Sequence, residues 1–211
     1  HQSWVSLMCM KSGGNMKILI CAPTSREYRA MRYALDNASG LKHNYDLVEV
    51  GIGKALSSAG VARALTLATE QYDMLAVVGF AASALGRKQG DIVMPCRAIH
   101  HDAIIPENFC PEITDPRMLR GTDPETVFTG DSFVNADIIR EVKSRFGVEC
   151  GLFDMEIAAI CQVAELYNNI PVVVAKYVSD VPEEGHSEQS YEEFANAHSD
   201  FTPLLNRLEA L

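Results

Sequence analysis

The sequence predicts an α/β fold: a single domain on a central, mostly parallel, twisted mixed sheet flanked by helices. Three observations predict it. Short apolar, β-prone runs recur along the chain, helical patterns separate them, and glycine or polar turns close most of them. Strands alternating with helices build parallel sheets between helix layers. A length of 211 residues favours one domain, and the 47% hydrophobic, 22% charged composition is ordinary for a globular chain.

The elements follow in order. Lys17-Ile18-Leu19-Ile20-Cys21-Ala22 is a continuous apolar run broken by Pro23, the signature of a strand buried on both faces. Ser25 is placed to cap a helix running towards Leu35, with Glu27 in its first turn. Residues 46–50 read as a strand closed by Gly51-Ile52-Gly53-Lys54. Val61, Leu65 and Ala68 then share a helix face. Residues 74–78 form another buried strand ending at Gly79, and residues 91–94 follow a turn at Gly90. The proline-containing stretch 106–124 reads as a long loop. Residues 126–129 form a strand ending at Gly130-Asp131, and residues 135–146 form a helix. Residues 154–168 place Ile157, Ile160, Cys161 and Ala164 at helical spacing. Residues 171–178 are the most β-prone run of the chain. A polar loop over 179–190 and one final helix, carrying Phe194, Phe201, Leu204, Leu205 and Leu208, complete the reading.

Composition excludes several function classes. A net charge of −10 lacks the basic face that nucleic acid requires, while leaving room for a small ligand held locally. No apolar run approaches the length of a membrane span. Six cysteines, Cys9, Cys21, Cys96, Cys110, Cys150 and Cys161, show neither a CxxC pair nor a zinc spacing. They read as free thiols of a cytoplasmic protein, and no metal or cofactor is expected. Residues 1–15 end in a flexible Ser-Gly-Gly-Asn composition and are read as a tag remnant or disordered extension, leaving 16–211 as the catalytic domain.

In parallel sheets ligands gather beyond the carboxyl ends of the strands. The turns expected there are 24–27, 51–54, 79–82, 130–133 and 179–181. They bring three carboxylates towards one edge: Glu27 after the first strand, Glu156 before the strongest one, and Asp180 with Ser179 at its end. Separate acids can protonate a leaving group, hold sugar hydroxyls and activate water, as in glycoside cleavage. Taken singly, each has a plainer reading. Asp180 is equally a turn residue or cap. Asp154 and Glu156 suit a helix N-terminus. Glu27 suits a solvated helix face. His100, His101 and His186 lack a metal spacing, and Gly51-Ile52-Gly53-Lys54 is no nucleotide fingerprint.

Taken together and in order, the segments resemble the nucleoside phosphorylase/nucleosidase superfamily, nearest its 5′-methylthioadenosine/S-adenosylhomocysteine nucleosidase branch. The carriers are KILICAPTSRE, VGIGK at 50–54, VGFAASAL at 78–85, GDIV at 90–93, HHDA at 100–103, TGDSF at 129–133, FDMEIAAI at 153–160 and PVVVAKYVSDV at 171–181. The resemblance implies hydrolysis of the N-glycosidic bond of a 5′-modified purine nucleoside with release of adenine. It implies that Glu27 activates water, that Asp180 is the acid facing purine N7, and that Glu156 holds the ribose hydroxyls with Met155 against the sugar. It further implies that Phe133 stacks on the base and that the Val134 backbone pairs with the base edge. Lys176 stands where an arginine usually lies near the water, Tyr191 closes over the 5′ side, and Ser179 and Ile105 complete the surroundings. Family members usually form homodimers, and the 106–124 loop with Phe109 is the candidate contact.

The sequence departs from the family pattern at several points. Phe80 replaces a small polar residue that helps hold the nucleophile, Lys176 replaces arginine, Ala82 and Ser83 replace glycines, and Asp154 replaces a glutamate. These changes bring in a futalosine or aminofutalosine hydrolase as an alternative. A phosphorylase would need arginines near the early glycine loops. Here those loops offer Lys54 and, later, Arg87, which favours water as the nucleophile.

Overall fold

The computed structural model describes residues 14–84, 86–106, 111–148, 151–182 and 188–211. The expectations for Cys9, Phe109, Cys110, Cys150, His186 and most of the 1–15 segment lie outside the described residues.

Among the described residues nine strands form one mixed, mostly parallel sheet. β1 (Lys17–Ala22) pairs in parallel with β2 (Asn44–Glu49) and with the first part of β3 (Met74–Ala84). β9 (Val172–Asp180) follows β3 in parallel from Leu75↔Val172 to Ala82↔Asp180. The end of β3 then meets β8 (Gly151–Asp154) antiparallel, so this long strand joins two halves of the sheet. β7 (Asp123–Thr129) and β5 (Pro95–His100) continue it in parallel. Short antiparallel strands, β4 (Ile92–Val93) on β9 and β6 (Arg117–Met118) on β5, finish the edges.

Alternation along the central strands divides the core. Leu19, Cys21, Leu75, Val77, Val172 and Val174 face one layer with α2 (Gly53–Leu67) and α5 (Ile157–Leu166). Ile18, Ile20, Met74, Ala76, Val173 and Ala175 face the other, with α1 (Ser25–Asn37), α6 (Glu188–Ala197) and α7 (Thr202–Glu209). A third cluster, around Phe128 and Phe153, is covered by α4 (Ala136–Phe146). A sheet buried on both faces needs continuous apolar runs, which is why β1, β3 and β9 read so clearly. Among the described residues no helix is long and apolar enough to cross a membrane.

Several expectations are corrected. Thr24, not Ser25, caps α1, because its side chain accepts the Glu27 N–H in a capping box. Residues 79–82 are not a turn. β9 pairs with β3 beyond Gly79, whose φ of +144° is one that glycine adopts within the continuing strand. The 106–124 loop contains α3 (Pro111–Thr114), β6 and the start of β7. The helix expected from residue 154 starts at Ile157, because Asp154 still pairs with Thr129 in the sheet. The final helix is two, α6 and α7, with Asp200 accepting the Thr202 N–H at 2.8 Å to start the second.

Candidate active site

Glu27 enters the site through the cap of α1. Its Oε2 accepts from the backbone N–H and hydroxyl of Thr24 at 2.9 and 2.8 Å. Its Oε1 accepts the N–H of Phe80 on β3 at 3.0 Å. Three donors fix one carboxylate that is only 4% exposed, so this residue is no solvated helix glutamate.

Asp154 and Glu156 divide the roles that sequence left open. Asp154 Oδ2 accepts the N–H groups of Glu156 and Ile157 at 3.1 and 2.8 Å, and its Oδ1 accepts the Thr129 hydroxyl at 2.6 Å. It is the working cap of α5. Glu156 makes no such cap. Its Oε1 instead accepts the Gly53 N–H at 3.0 Å, across the top of the sheet. Burial, and next the Asp154 charge, push its carboxyl up to about 7, against the opposing pull of Lys176 and the Gly53 N–H.

Asp180 ends β9 and is 3% exposed. The Ser179 hydroxyl lies 2.6 Å from its Oδ1 and 3.2 Å from the Ala81 carbonyl oxygen. A hydroxyl has one proton to give. Given to Ala81, it leaves the Ser179 oxygen free to accept from a protonated Asp180; given to Asp180, it supports the carboxylate.

One cavity of about 500 Å³ collects these groups, a size suited to a small ligand. Glu27, Asp154, Glu156 and Asp180 all line it, together with Met155, Phe133, Val134, Phe80 and Tyr191. Phe133 is 48% exposed at its wall. Tyr191 packs edge-on against both Phe133 and Phe80, and burial pushes its hydroxyl up to about 12. The Phe80 ring packs on Phe194 and Phe201, while its backbone N–H donates to Glu27.

Three expected residues do not line the cavity. Ser179 and Lys176 are both 1% exposed and lie beneath its surface. Ile105, half-buried in the segment after β5, is not among the residues that line it. Lys176 pairs with Gly79 in the sheet. A point where a Gly79 Cβ would stand is 2.0 Å from Glu27 Oε1 and 3.1 Å from Lys176 Nζ. That buried ammonium has no hydrogen-bond partner among the described residues.

Sequence reasoning missed Arg26, Arg29, His101, Phe153, Ile52 and Glu192, which also line the cavity. Arg26 and Arg29 recur three apart on α1, a signal readable once that helix is known to carry Glu27. Burial holds His101, at the wall, below the ordinary imidazole value. A second cavity, of about 510 Å³, lies at the opposite ends of the strands near Tyr72 and Asn169. Its acids Glu70 and Asp73 are already bonded to Lys17, so it offers no comparable chemistry. Among the described residues no group of three or more His, Cys, Asp or Glu is arranged to hold a metal ion.

The profile of the phosphorylase superfamily matches residues 41–208. Similar solved structures include the methylthioadenosine/S-adenosylhomocysteine nucleosidase of Streptococcus pneumoniae in complex with 8-aminoadenine. It is 29% identical with a TM-score of 0.72, over 93% of this chain and 100% of that one. The Streptococcus pyogenes S-adenosylhomocysteine nucleosidase, with 5-methylthiotubericidin, is 24% identical with a TM-score of 0.74, over 94% and 98%. The Neisseria meningitidis nucleosidase, with methylthio-immucillin-A, is 21% identical with a TM-score of 0.75, over 93% and 100%.

Proposed function

We propose, from the premise that this chain belongs to the phosphorylase superfamily, that it hydrolyses the N-glycosidic bond of a 5′-modified purine nucleoside and releases adenine. One observation carries the reading: Glu27, Glu156 and Asp180 line one cavity, from three different elements. The nucleosidase of Streptococcus pneumoniae, similar over 93% of this chain, adds support.

Cleavage of the C1′–N9 bond builds positive charge on the ribose and negative charge on the purine. Asp180 supplies a proton at N7, so the base leaves neutral; a general acid contributes about 10² to 10⁴ in rate. Glu156 accepts from the ribose hydroxyls and gains strength as the sugar becomes cationic. Glu27 takes the proton of the water that attacks C1′. A water between Glu27 Oε1 and Lys176 Nζ would satisfy both the carboxylate and the unpartnered ammonium. Met155 packs against the sugar, Phe133 and the Val134 backbone receive the base, and Tyr191 covers the 5′ side.

Water is favoured over phosphate because the cations nearest the early glycine loops are engaged. Lys54 is bound by Asp102 at 2.7 Å, and Arg87 by Glu125 at 2.6 Å and Asp123 at 3.3 Å. Phosphorolysis is the second reading, favoured by Arg29, which lines the cavity without an ion-pair partner among the described residues. The reading includes a homodimer, supported by exposed Ile52, Leu56, Ile104 and Phe133; light scattering at twice the chain mass is the expected result.

The test is chromatography of reactions with methylthioadenosine, S-adenosylhomocysteine, 5′-deoxyadenosine, inosine, futalosine and aminofutalosine, with and without phosphate. Adenine and free sugar in both buffers are expected. Hypoxanthine from futalosine alone would move the substrate to the alternative branch, and strict phosphate dependence would overturn hydrolysis.

A further inference from the structure

α2 begins without a cap of its own: Ile52 occupies that position and offers no side-chain acceptor. Its first free N–H groups are satisfied from elsewhere. Gly53 N–H donates to Glu156 Oε1 at 3.0 Å, and Lys54 N–H donates to Asp131 Oδ1 at 3.0 Å. Two remote carboxylates therefore do what a neighbouring serine or aspartate ordinarily does at a helix start.

The Lys54 side chain ties these partners together. Its ammonium lies 2.7 Å from Asp102 Oδ1 and 3.8 Å from Asp131 Oδ2. Asp102 Oδ2 in turn accepts the Asp131 N–H at 2.9 Å. Burial pushes the Asp102 carboxyl up, but the Lys54 ammonium and the Asp131 N–H outweigh it and hold it below the usual carboxylate range. Lys54 and Asp102 are only 24% and 29% exposed, which shields the pair from full solvent screening. Gly53 makes the closure possible, since a Cβ there would stand 3.3 Å from Asp131 Oδ1 on a backbone with φ of +80°. Three separate rim segments meet here: the start of α2, the turn after β5 and the turn after β7 that carries Phe133.

We propose that Lys54, Asp102 and Asp131 form a latch that sets the Gly53 amide against Glu156 and holds the Phe133 turn, making Lys54 a positioning residue for sugar and base binding. The proposal rests on the nucleosidase reading for its kinetic consequence but not for its structural one. The latch acts before chemistry, so its loss weakens substrate binding and leaves the bond-breaking groups intact.

The test uses the full chain with Lys54→Met, Lys54→Arg and Asp102→Asn. Hydrogen exchange at the Gly53 amide of the substrate-free protein reads the latch directly. Lys54→Met and Asp102→Asn should speed that exchange about tenfold, and Lys54→Arg should restore most of the protection. Kinetics of adenine release should show KM raised about five- to tenfold with kcat within about twofold, as for a partly buried charge network. Wild-type KM should also rise towards about 1 M salt while that of Lys54→Met stays flat. Unchanged Gly53 exchange in both Lys54→Met and Asp102→Asn overturns the latch. So does a loss confined to kcat, or a Lys54→Arg protein no better than Lys54→Met. If the wild type releases no base at all, the nucleosidase reading fails while the exchange result still decides the latch.

Discussion

The backbone N–H of Phe80 donates to Oε1 of Glu27 at 3.0 Å, joining β3 to the start of α1 on the cavity floor. The contact requires a strand to pass within hydrogen-bond distance of a buried carboxylate. The residue before Phe80 makes that possible, because a Gly79 Cβ would lie 2.0 Å from the same oxygen. Gly79→Ala is therefore expected to displace Glu27. With a φ of +144° the alanine also strains the backbone, at a cost of about 1–3 kcal/mol. Thermal unfolding and adenine release check this. Near wild-type turnover in a folded Gly79→Ala protein would mean that Glu27 is not the group that handles the water.

Asp180→Asn keeps the shape of the side chain and a partner for Ser179 while removing the acid. It should fold normally and lose about 10² to 10⁴ in rate. Circular dichroism with single-turnover base release separates folding from chemistry, and an Asp180→Asn protein of ordinary activity removes Asp180 from the mechanism.

Lys176 is a buried ammonium without a hydrogen-bond partner among the described residues, a costly arrangement for the fold. Lys176→Met removes the charge and fills a similar volume. Stability should hold or rise by about 1–3 kcal/mol, while adenine release falls. A variant that loses stability and keeps its rate would show that the lysine serves the fold instead.

Glu156 gives the pH dependence. Its carboxyl is pushed up from 4.5 to about 7 by burial and next by Asp154, with Lys176 and the Gly53 N–H opposing. A raised carboxylate favours the fold while protonated. The substrate-free protein should be most stable at acid pH and lose that stability as pH climbs to about 7. Substrate binding runs the other way, because an ionised Glu156 is the better acceptor for ribose hydroxyls. kcat/KM should fall about tenfold per pH unit below the carboxylate's own value. Thermal midpoints and initial rates across the acid-to-neutral range check both signs, and a flat kcat/KM profile there would contradict the assignment.

The parts of the fold that sequence made legible are those where one force dominates. β1, β3 and β9 are buried on both faces, so their apolar runs stand out. β5 escaped because Pro95 and Arg97 interrupt its pattern, and β8 because four residues abut a helix start. The α6–α7 break was written in Asp200 and Pro203, but the apolar spacing on either side concealed it. In the site, Glu27 and Asp180 were readable as acids after strands and Glu156 as an acid before one, and the cavity gathers all three. Asp154 against Glu156 was not separable, since cap and ligand share a residue type and only the direction of the side chain tells them apart. The partners of Lys54 lie 48 and 77 residues away in sequence, beyond any local pattern.

The convergence of Glu27, Glu156 and Asp180 on one nucleoside is tested most directly by turnover of methylthioadenosine in phosphate-free, ¹⁸O-enriched water, with mass spectrometry of both products. The account predicts unlabelled adenine and a free methylthioribose carrying one ¹⁸O at C1. No adenine, or adenine only when phosphate is supplied and sugar 1-phosphate appears, would contradict it.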